Sequence, residues 1–487
     1  DNVTINIPSG SYVFSNDISG DAGVIKNGSG DLILSGNSTF TGPTTVNDGR
    51  LQVNGVYTSS INVKRQAILS TNNAILKNDV INSGILENTG STEVGGNYSS
   101  LENSRIVTGL NSNIHVKGKV SLNNSKLEVK PEENGERKYI TSNGITQNII
   151  TSDDKIEGNF NSVNTDEMLN AKLNQTENSV SAKVSRKNVL NYVEKLSESD
   201  EMQKNTAQNL ETAFQKLDQD IENGTAGNVA QFEKKSAKLQ ALTSSNRAAV
   251  LDSLSGQIYA SAQALTFQHS QTVNKDLSNR LVMLGTLDNV GDNFGLWVSS
   301  FGANGKLEQN GYGKGDTKVF GGQVGIDKQF GDNLILGTAL SYSKADVKFN
   351  RYGGKSDASN FGVSLYGRLG NKDIPWYLQG RFGVGFVDSD VERDIILSSN
   401  DYSRAKINHN DKVYSGYVET GYDIKNSNGD FVVTPFAGIT HDTVTRGSFS
   451  EDKSQFGLKA DKKNYSQTSA LAGVRVGKAV QWNGGSK

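Results

Sequence analysis

The sequence predicts a mainly β protein in three parts: an N-terminal right-handed parallel β-solenoid, a helical middle, and a C-terminal antiparallel β-barrel of the outer-membrane type. Short strands punctuated by Gly, Asn and Asp predict the solenoid over residues 1–186. Apolar residues spaced by three and four predict helices over residues 187–290. Segments of roughly ten residues with alternating polarity predict membrane-crossing strands after residue 290.

The composition excludes several classes of protein. None of the 487 residues is Cys, which excludes disulfides and thiolate metal sites. This absence fits chance, a reducing compartment, or a chain that crosses a pore unfolded, where a disulfide would block passage. The net charge of −2 provides no single-sign field for nucleic acid. No apolar run reaches the length of about 18 residues that would predict a transmembrane helix.

The N-terminal repeats are interpreted as rungs of the solenoid. In residues 28–53, Leu, Ile and Val alternate with polar residues between Gly and Asn corners, and looser copies follow near residues 75, 85 and 114. One rung cannot bury its own apolar face, whereas stacked rungs can. The repeats therefore favour parallel stacking.

Amphipathic patterns predict the helices of the middle part. One stripe steps by three and four through Ala207, Leu210, Phe214, Leu217 and Ile221. A later helix over residues 257–284 would be roughly 40 Å long, which exceeds the ~25 Å apolar band of a barrel. Its many polar side chains are unsuited to lipid but suited to a polar lumen. Taken alone, the sequence of this helix favours its interpretation as an ordinary surface helix packed on a soluble domain.

About eight alternating segments make up the predicted barrel. They span residues 295–304, 317–330, 333–347, 357–369, 376–390, 411–424, 430–443 and 466–480. Long connections, such as residues 395–410, alternate with tight ones, such as residues 331–333. Long loops on one side and short turns on the other are typical of outer-membrane barrels. A soluble lipocalin-like barrel or sandwich, with its apolar face toward a core, is the alternative.

The alternation also predicts which side chains face the lumen and which face lipid. The predicted lumen-facing side chains are Arg368, Gln379, Arg381, Glu419 and Arg475. Large apolar and aromatic side chains on the opposite face would contact lipid or form interfacial girdles. These are Tyr342, Phe361, Leu365, Trp376, Phe382, Tyr414 and Tyr422.

No motif for catalysis, cofactor binding or metal binding emerges. The four His residues lie in unlike segments, and no His-Glu-x-x-His run occurs. Gly354, Lys355 and Ser356 imitate the end of a phosphate loop, but Phe349 stands where its first Gly belongs. Asp-rich loops have no EF-hand spacing to support calcium binding. We therefore predict no catalytic residues, no cofactor and no metal ligand in this chain.

Three stretches together resemble the C-terminal part of type V secretion autotransporters. Residues 28–53 are similar to the autotransporter-associated β-strand repeat, with Pro43 as a departure. The matching positions are Gly30, Leu32, Leu34, Gly36, Asn37, Phe40, Gly42, Thr44, Val46, Gly49 and Leu51. Residues 249–262 are similar to a segment that precedes many autotransporter barrels, with Gln257 in place of its usual Glu. The matching positions are Leu254, Ser255, Gly256, Ile258, Tyr259 and Ala260. Residues 295–302 are similar to the opening of the first barrel strand.

The resemblance implies a division into four parts. Residues 1–186 would be the end of an exported passenger and include its folding region, and residues 187–245 would be a helical linker. Residues 246–290 would lead into and through the lumen, and residues 291–487 would form the barrel. The implied partners are outer-membrane lipid, the barrel assembly machinery and the chain's own passenger. Nucleic acid is not expected as a partner, and no host surface ligand is identified.

The family's barrels have twelve strands, and this sequence predicts about eight, which motivates the expectation of a C-terminally truncated barrel. Gly295 and Val480 would then lie on edges without a partner strand. Such a sheet would be open and curled.

The favoured function is an outer-membrane translocator and virulence factor that exports and anchors its own passenger, with residues 1 to about 245 at the cell surface. The first alternative is an adhesin whose displayed solenoid is the functional part. The second is a fragment of a secreted subtilisin-like protease whose catalytic domain lies upstream of residue 1. A soluble phage-fibre-like β-protein is a further alternative.

Overall fold

The computed structural model describes residues 1–286, 294–371, 373–451 and 455–478. The chain divides into two compact units. Residues 1–197 and 207–247 form the N-terminal unit, and residues 198–206 together with the rest of the chain from Ala248 form the C-terminal unit. The predicted boundary at residues 290 and 291 lies outside the described residues.

Short strands in the N-terminal unit stack into three sheets, and this confirms the predicted solenoid. One column of directly paired residues runs from Val3 through Val24, Thr44 and Ile61 to Val80. All these pairings are parallel, so each turn of the chain places its strand beside the equivalent strand of the turn before. The strands β1–β25 are, in chain order, Val3–Asn6, Ser11–Phe14, Val24–Asn27, Asp31–Leu34, Thr44–Val46, Arg50–Val53, Val56–Tyr57, Ile61–Val63, Ile68–Asn72, Ile75–Leu76, Val80–Asn82, Ile85–Thr89, Ser91–Val94, Tyr98–Ser100, Arg105–Thr108, Asn113–Val116, Val120–Ser121, Lys126–Val129, Glu132–Glu133, Glu136–Arg137, Ile145–Ser152, Ile156–Glu157, Ser162–Asn164, Leu169–Gln175 and Ser179–Arg186.

The interior of the solenoid is apolar, with a few hydroxyls that bond to one another. Leu32, Leu51 and Leu69 lie buried one above the other on successive turns. The Tyr98 hydroxyl lies 2.7 Å from Ser100 Oγ, and burial raises the pKa of Tyr98 to about 12. Because these hydroxyls are paired, burying them does not carry the full desolvation cost.

A buried lysine holds one corner of the solenoid together. Lys26 Nζ donates to the carbonyl oxygens of Gly28 at 2.6 Å, Gly30 at 2.5 Å and Asp48 at 2.9 Å. Gly49 closes the corner with φ +63, and a Cβ there would lie 2.6 Å from Lys26 Nζ and 2.5 Å from the carbonyl oxygen of Gly28. The Lys26 ammonium group therefore binds these carbonyl oxygens as a structural cation would, and only Gly fits beside it at position 49.

The last strands of the N-terminal unit, in the stretch expected to be the folding region of the passenger, depart from parallel stacking. Ile145–Ser152 pairs in parallel with the preceding turn and antiparallel with Ser179–Arg186, which pairs antiparallel with Leu169–Gln175. An exposed sheet edge is a site of unwanted pairing. The antiparallel strand Ser179–Arg186 therefore pairs with the edge of Ile145–Ser152 on which another parallel rung would otherwise stack.

The helices of the chain begin close to the predicted positions. They are α1 Val189–Glu194, α2 Glu201–Glu222, a 3-10 turn Ala226–Val229, α3 Ala230–Leu239, α4 Arg247–Ser253 and α5 Gln257–Thr286. The predicted stripe is the packed face of α2, where Ala207, Leu210, Phe214 and Leu217 are buried. None of the helices in the described part of the chain combines the length and apolarity needed to cross a membrane.

A buried ionic cluster fastens α2 to the last solenoid strand within the N-terminal unit. Arg186 Nε donates to Asp218 at 2.9 Å, and Nη1 donates to Glu211 at 2.9 Å. The Tyr139 hydroxyl donates to Asp218 at 2.7 Å. Burial, and then the charge of Asp218, raises the pKa of this hydroxyl. Each buried charge has an opposite charge in contact, as such burial requires.

The C-terminal unit is an antiparallel sheet of eight long strands, as predicted. Their order is the chain order, and the sheet is open: within the described residues β26 and β36 each pair with one neighbour. Val480 of the predicted last strand lies outside the described residues. The strands β26–β36 are Gly295–Leu307, Gly315–Phe330, Leu334–Phe349, Lys355–Leu369, Trp376–Ser398, Asp401–Tyr422, Ile424–Lys425, Phe431–Arg446, Phe449–Ser450, Lys459–Ala460 and Lys463–Lys478.

The sheet curls around helix α5, which contacts β26, β28, β29, β30 and β33. A flat sheet would place β26 and β33 roughly 29 Å apart at ~4.8 Å per strand, and a helix is only ~10–12 Å wide. The helix therefore lies along a concave inner face. We call the end of the sheet with the connections after β26, β28, β30 and β33 the long-loop end, and the other the short-turn end.

The predicted long loop over residues 395–410 is wrong, because β30 and β31 continue through it as a hairpin. Ile395 and Leu397 are buried on the inner side. On the outer side, Asp394 and Arg404 form an ion pair at 3.1 Å. The polar composition of this segment suggested a loop, but its alternation of buried and exposed residues is that of a strand.

A matched pair of Gly substitutions tests the lysine corner. Gly10 has φ +70, and no atom lies within 4 Å of the point that an added Cβ would occupy, so Gly10→Ala should cost only backbone strain, about 1 kcal/mol. Gly49→Ala adds a clash with the carbonyls that hold Lys26, and should cost about 3 kcal/mol or more. Pulse proteolysis across a urea series measures both free energies of unfolding. Equal costs at the two positions would contradict the role assigned to Lys26.

Candidate functional site

The inner and outer faces of the C-terminal sheet differ sharply in polarity. Of the predicted lumen-facing side chains, Arg368, Gln379, Arg381 and Glu419 are buried on the inner face, and Arg475 is partly buried there. The predicted lipid-facing side chains all lie on the outer face and are between 45% and 62% exposed. These are Tyr342, Phe361, Leu365, Trp376, Phe382, Tyr414 and Tyr422. Contact of the outer face with lipid remains a prediction.

A carboxylate near the short-turn end of the inner face gathers donors from strands and helix. Glu419 accepts hydrogen bonds from Arg475 at 2.6 Å and 3.0 Å, from the Tyr377 hydroxyl at 2.8 Å and from Gln379 at 3.1 Å. Ser278 of α5 donates to the same carboxylate at 3.3 Å. The helix is thus tied to three strands through one buried charge.

Two further polar contacts fix α5 nearer the middle of its length. Arg381 Nη1 donates to Asn274 Oδ1 at 2.5 Å, and Arg381 Nε donates to Ser364 Oγ at 2.7 Å. Ser270 Oγ lies 2.8 Å from Ser415 Oγ. These contacts place small polar groups of the helix directly against the strands, as a polar lumen requires.

Acidic groups anchor the helix toward the short-turn end. Asp276 accepts from Ser299 at 2.5 Å and from Gln323 at 2.7 Å. Arg280 pairs with Asp327 at 3.1 Å. Asp327 also accepts from the Tyr366 hydroxyl at 2.8 Å. Asp276 of α5 therefore meets donors, and Arg280 an opposite charge, on the inner face.

Sequence reasoning missed the helix residues that make these contacts. Thr266, Ser270, Asn274 and Ser278 are all buried and follow one another at steps of four. Residues four apart share one face of a helix. A line of small polar residues at this spacing was the signal that would have identified the face. This line of four residues is called the polar stripe.

The matched repeat residues of the N-terminal unit form one solenoid rung. Leu32, Leu34, Phe40, Val46 and Leu51 are buried in its core. A Cβ on Gly42 would lie 2.2 Å from the backbone nitrogen of Gly23, and one on Gly36 would lie 2.6 Å from the carbonyl oxygen of Asn16. The other matched positions are Gly30, Asn37, Thr44 and Gly49. The repeat is therefore a packing pattern, with Gly where adjacent turns approach closely.

The linker-helix motif lies at the break between α4 and α5. Leu254, Ser255, Ile258 and Tyr259 are buried, whereas Gly256 and Ala260 are exposed. Among the described residues, no group of three or more acidic, His or Cys side chains is arranged to hold a metal ion.

Comparison with known proteins gives two family matches. Residues 296–487 match the family model of the autotransporter beta-domain, and residues 24–53 match that of the passenger-associated-transport-repeat. Outer membrane protein B of Rickettsia rickettsii is 26% identical over 198 residues, which are 39% of this chain and 12% of the relative. An extracellular serine protease of Serratia marcescens is 23% identical over 512 residues, which are 95% of this chain and 48% of the relative. The chain spans less than half the length of these two relatives.

Two solved structures are similar to parts of this chain. The translocator domain of the autotransporter NalP from Neisseria meningitidis is similar with a TM-score of 0.39 and 19% identity, covering 46% of this chain and 73% of that one. The beta domain of the Bordetella autotransporter BrkA is similar with a TM-score of 0.33 and 20% identity, covering 40% of this chain and 74% of that one.

Removal of the Glu419 carboxylate tests whether the inner-face network holds the helix. Glu419→Ala leaves Arg475 unpaired and should destabilise the C-terminal unit by about 3–5 kcal/mol, the usual cost of breaking a buried ion pair. Val418 is exposed on the outer face, so Val418→Ala is the matched control and should cost far less. The temperature at which the compact form disappears on unheated gels measures both. Similar temperatures for the two variants would contradict the network's role.

Proposed function

We propose that this chain belongs to the autotransporter family through the β-domain at residues 296–487. From this premise, its C-terminal sheet lies in the outer membrane. The sheet exports the chain's own N-terminal part and anchors it there. The observation that carries the proposal is the sorting of polarity across the sheet. The outer face presents apolar and aromatic side chains, and the inner face surrounds a helix with buried polar groups.

The dimensions of the outer face match a membrane. On β30 the outward residues Trp376, Leu378, Phe382 and Phe386 span ten residue steps. Ten steps are ~33 Å along a strand and about 25 Å along the membrane normal at a tilt of 40°. Beyond Phe386 the outward residues become Asp388, Asp390 and Glu392, so the apolar band ends where the membrane would end.

The passenger in this proposal is the N-terminal part of the same chain, with residues 1 to about 245 at the cell surface. The parts we propose are a passenger end over residues 1–186, a helical linker over 187–245, a helix through the lumen over 246–290 and the barrel over 291–487. Stacking of rungs outside the cell buries apolar surface turn by turn, which disfavours backward movement. The outer-membrane assembly machinery would insert the sheet.

The adhesin and the protease alternatives have no specific observation in their favour. The relative from Serratia marcescens is named a serine protease, but this chain spans 48% of it. Export and anchoring are therefore the proposed function.

Two adjacent substitutions test the orientation of the sheet, and the chain's lack of Cys makes each the sole thiol. Phe382→Cys places the thiol on the outer face, where a lipid-soluble maleimide should react with it in membranes. Arg381→Cys places it on the inner face against α5, where that reagent should not react. Mass spectrometry of the labelled chain gives both yields. Labelling of Arg381→Cys from the lipid, with Phe382→Cys unreactive, would contradict the proposed orientation.

A further inference from the structure

The backbone break between α4 and α5 is held by the strands at the long-loop end. Helix α4 ends at Ser253 and α5 begins at Gln257. Arg393 Nη1 donates to the carbonyl oxygen of Ser253 at 2.9 Å, and the backbone N–H of Ile396 donates to Ser253 Oγ at 3.0 Å. A helix pairs its own carbonyls except in its last turn. A continuous helix would thus offer Arg393 no free carbonyl, and only the break does.

Arg393 is itself held rigidly in place. Its side chain and that of Glu451 are each 1% exposed. Arg393 Nε donates to Glu451 at 3.0 Å, and Nη2 donates to Glu451 at 2.7 Å and to the carbonyl oxygen of Phe456 at 2.7 Å. The Tyr259 hydroxyl of α5 donates to the same carboxylate at 2.5 Å. All three nitrogens of the planar guanidinium donate hydrogen bonds, so Arg393 is fixed opposite one backbone carbonyl and cannot follow a sliding chain.

Two more loops between strands contribute hydrogen bonds to the residues around the break. Arg351 Nη2 donates to Asp252 at 2.8 Å and Nε at 3.1 Å, from a turn in which Arg351 has φ 55 and Tyr352 has φ 59. Non-Gly residues persist in this region only where their surroundings hold them. Gln257 Nε2 donates to the carbonyl oxygen of Gly313 at 2.6 Å. The contacting residues of the sheet and its connections are called the collar, and they are Gly313, Arg351, Arg393, Ile396 and Glu451.

The polar stripe alone cannot set how far the helix extends through the sheet. Thr266, Ser270, Asn274 and Ser278 repeat every four residues, and a shift by one turn replaces one small polar residue with another. The contacts with Arg381, Ser415 and Glu419 would then find similar partners. The ion pair of Arg280 with Asp327 defines one position near the end of the helix, and contacts to the break at residues 254–256, which occurs once, define it at the other end.

We propose that the collar is a positioning device for export, which recognises the helix break and stops the chain when residues 252–259 reach the long-loop end. This rests on the proposed function, since it presumes that the chain moves through the sheet. Arg393 and Glu451 are the positioning residues, and Ser253 supplies the recognised carbonyl. The collar also gives the linker motif at residues 254–260 a role, because its break and its Tyr are what the collar contacts.

Engineered Cys pairs report the position of the helix in the full chain in outer membranes. Ser270 Oγ and Ser415 Oγ lie 2.8 Å apart, so Ser270→Cys with Ser415→Cys should form a disulfide when the chain stops where the structure has it. Asn274→Cys with Ser415→Cys should form one when the chain runs one turn further, about 5.4 Å. The parent chain should give the first disulfide and not the second.

Collar variants should change this result. Arg393→Ala, Ser253→Ala and Tyr259→Phe should each lower the yield of the first disulfide and raise that of the second, most strongly for Arg393→Ala. Arg404→Ala is the matched control, since Arg404 lies on the outer side of the same hairpin with its side chain 48% exposed, and it should leave both yields unchanged. If the Arg393→Ala chain does not assemble in the membrane, the disulfide yields of Ser253→Ala and Tyr259→Phe test the role of the collar. A general loss of stability would lower both yields together.

Surface labelling of residues 1–245 on intact cells separates the two proposals. Unchanged disulfide yields in all collar variants, with residues 1–245 at the surface, would overturn the collar's role alone. A parent chain whose residues 1–245 stay inside the cell would overturn the proposed function, and the collar's role with it. Altered yields with surface exposure retained would support the collar.

Discussion

A lipid bilayer contains no water to satisfy a backbone N–H or C=O, and in the proposed location of the sheet this constraint applies to the whole C-terminal unit. Interior strands such as β28 meet it by pairing on both sides along nearly their full length. The alternation of side chains then divides the sheet into an apolar outer face and a polar inner face. Polar groups confined to the inner face need partners, and α5 supplies them.

The partners on α5 are mostly small and uncharged, and this has consequences for export. Ser270, Asn274 and Ser278 bond to the strands without requiring a unique opposite charge. The small polar residues of the stripe tolerate a shift of the helix by one turn, whereas the ion pair of Arg280 with Asp327 does not. The buried pair of Arg393 and Glu451 adds a further contact of fixed position, at the helix break. The N-terminal unit follows a different principle, because its stacked rungs gain stability from apolar burial and from paired polar corners.

The sequence predicted the strands, the two faces of the sheet and α5, because these depend on local periodicity. Period two assigns Arg381 and Phe382 to opposite faces without reference to any other part of the chain. The pair of Arg393 and Glu451 could not be predicted, since 58 positions separate the two residues and no spacing rule links them. The hairpin over residues 395–410 was missed because polar outward residues outnumbered the buried ones. The antiparallel pairing at the end of the solenoid could not be predicted, because it depends on which strand forms the edge of the stacked sheet. The sequence of a single rung does not contain that information.

The central claim is that the sheet holds α5 within the outer membrane while the chain before it lies outside the cell. Protease added to intact cells, followed by mass spectrometry of the membrane fraction, tests this claim most directly. We expect a protected fragment that begins within the residues before α5 and retains the helix together with strands β26–β36. Full protection of the chain, or digestion that removes α5 from the strands, would contradict the account.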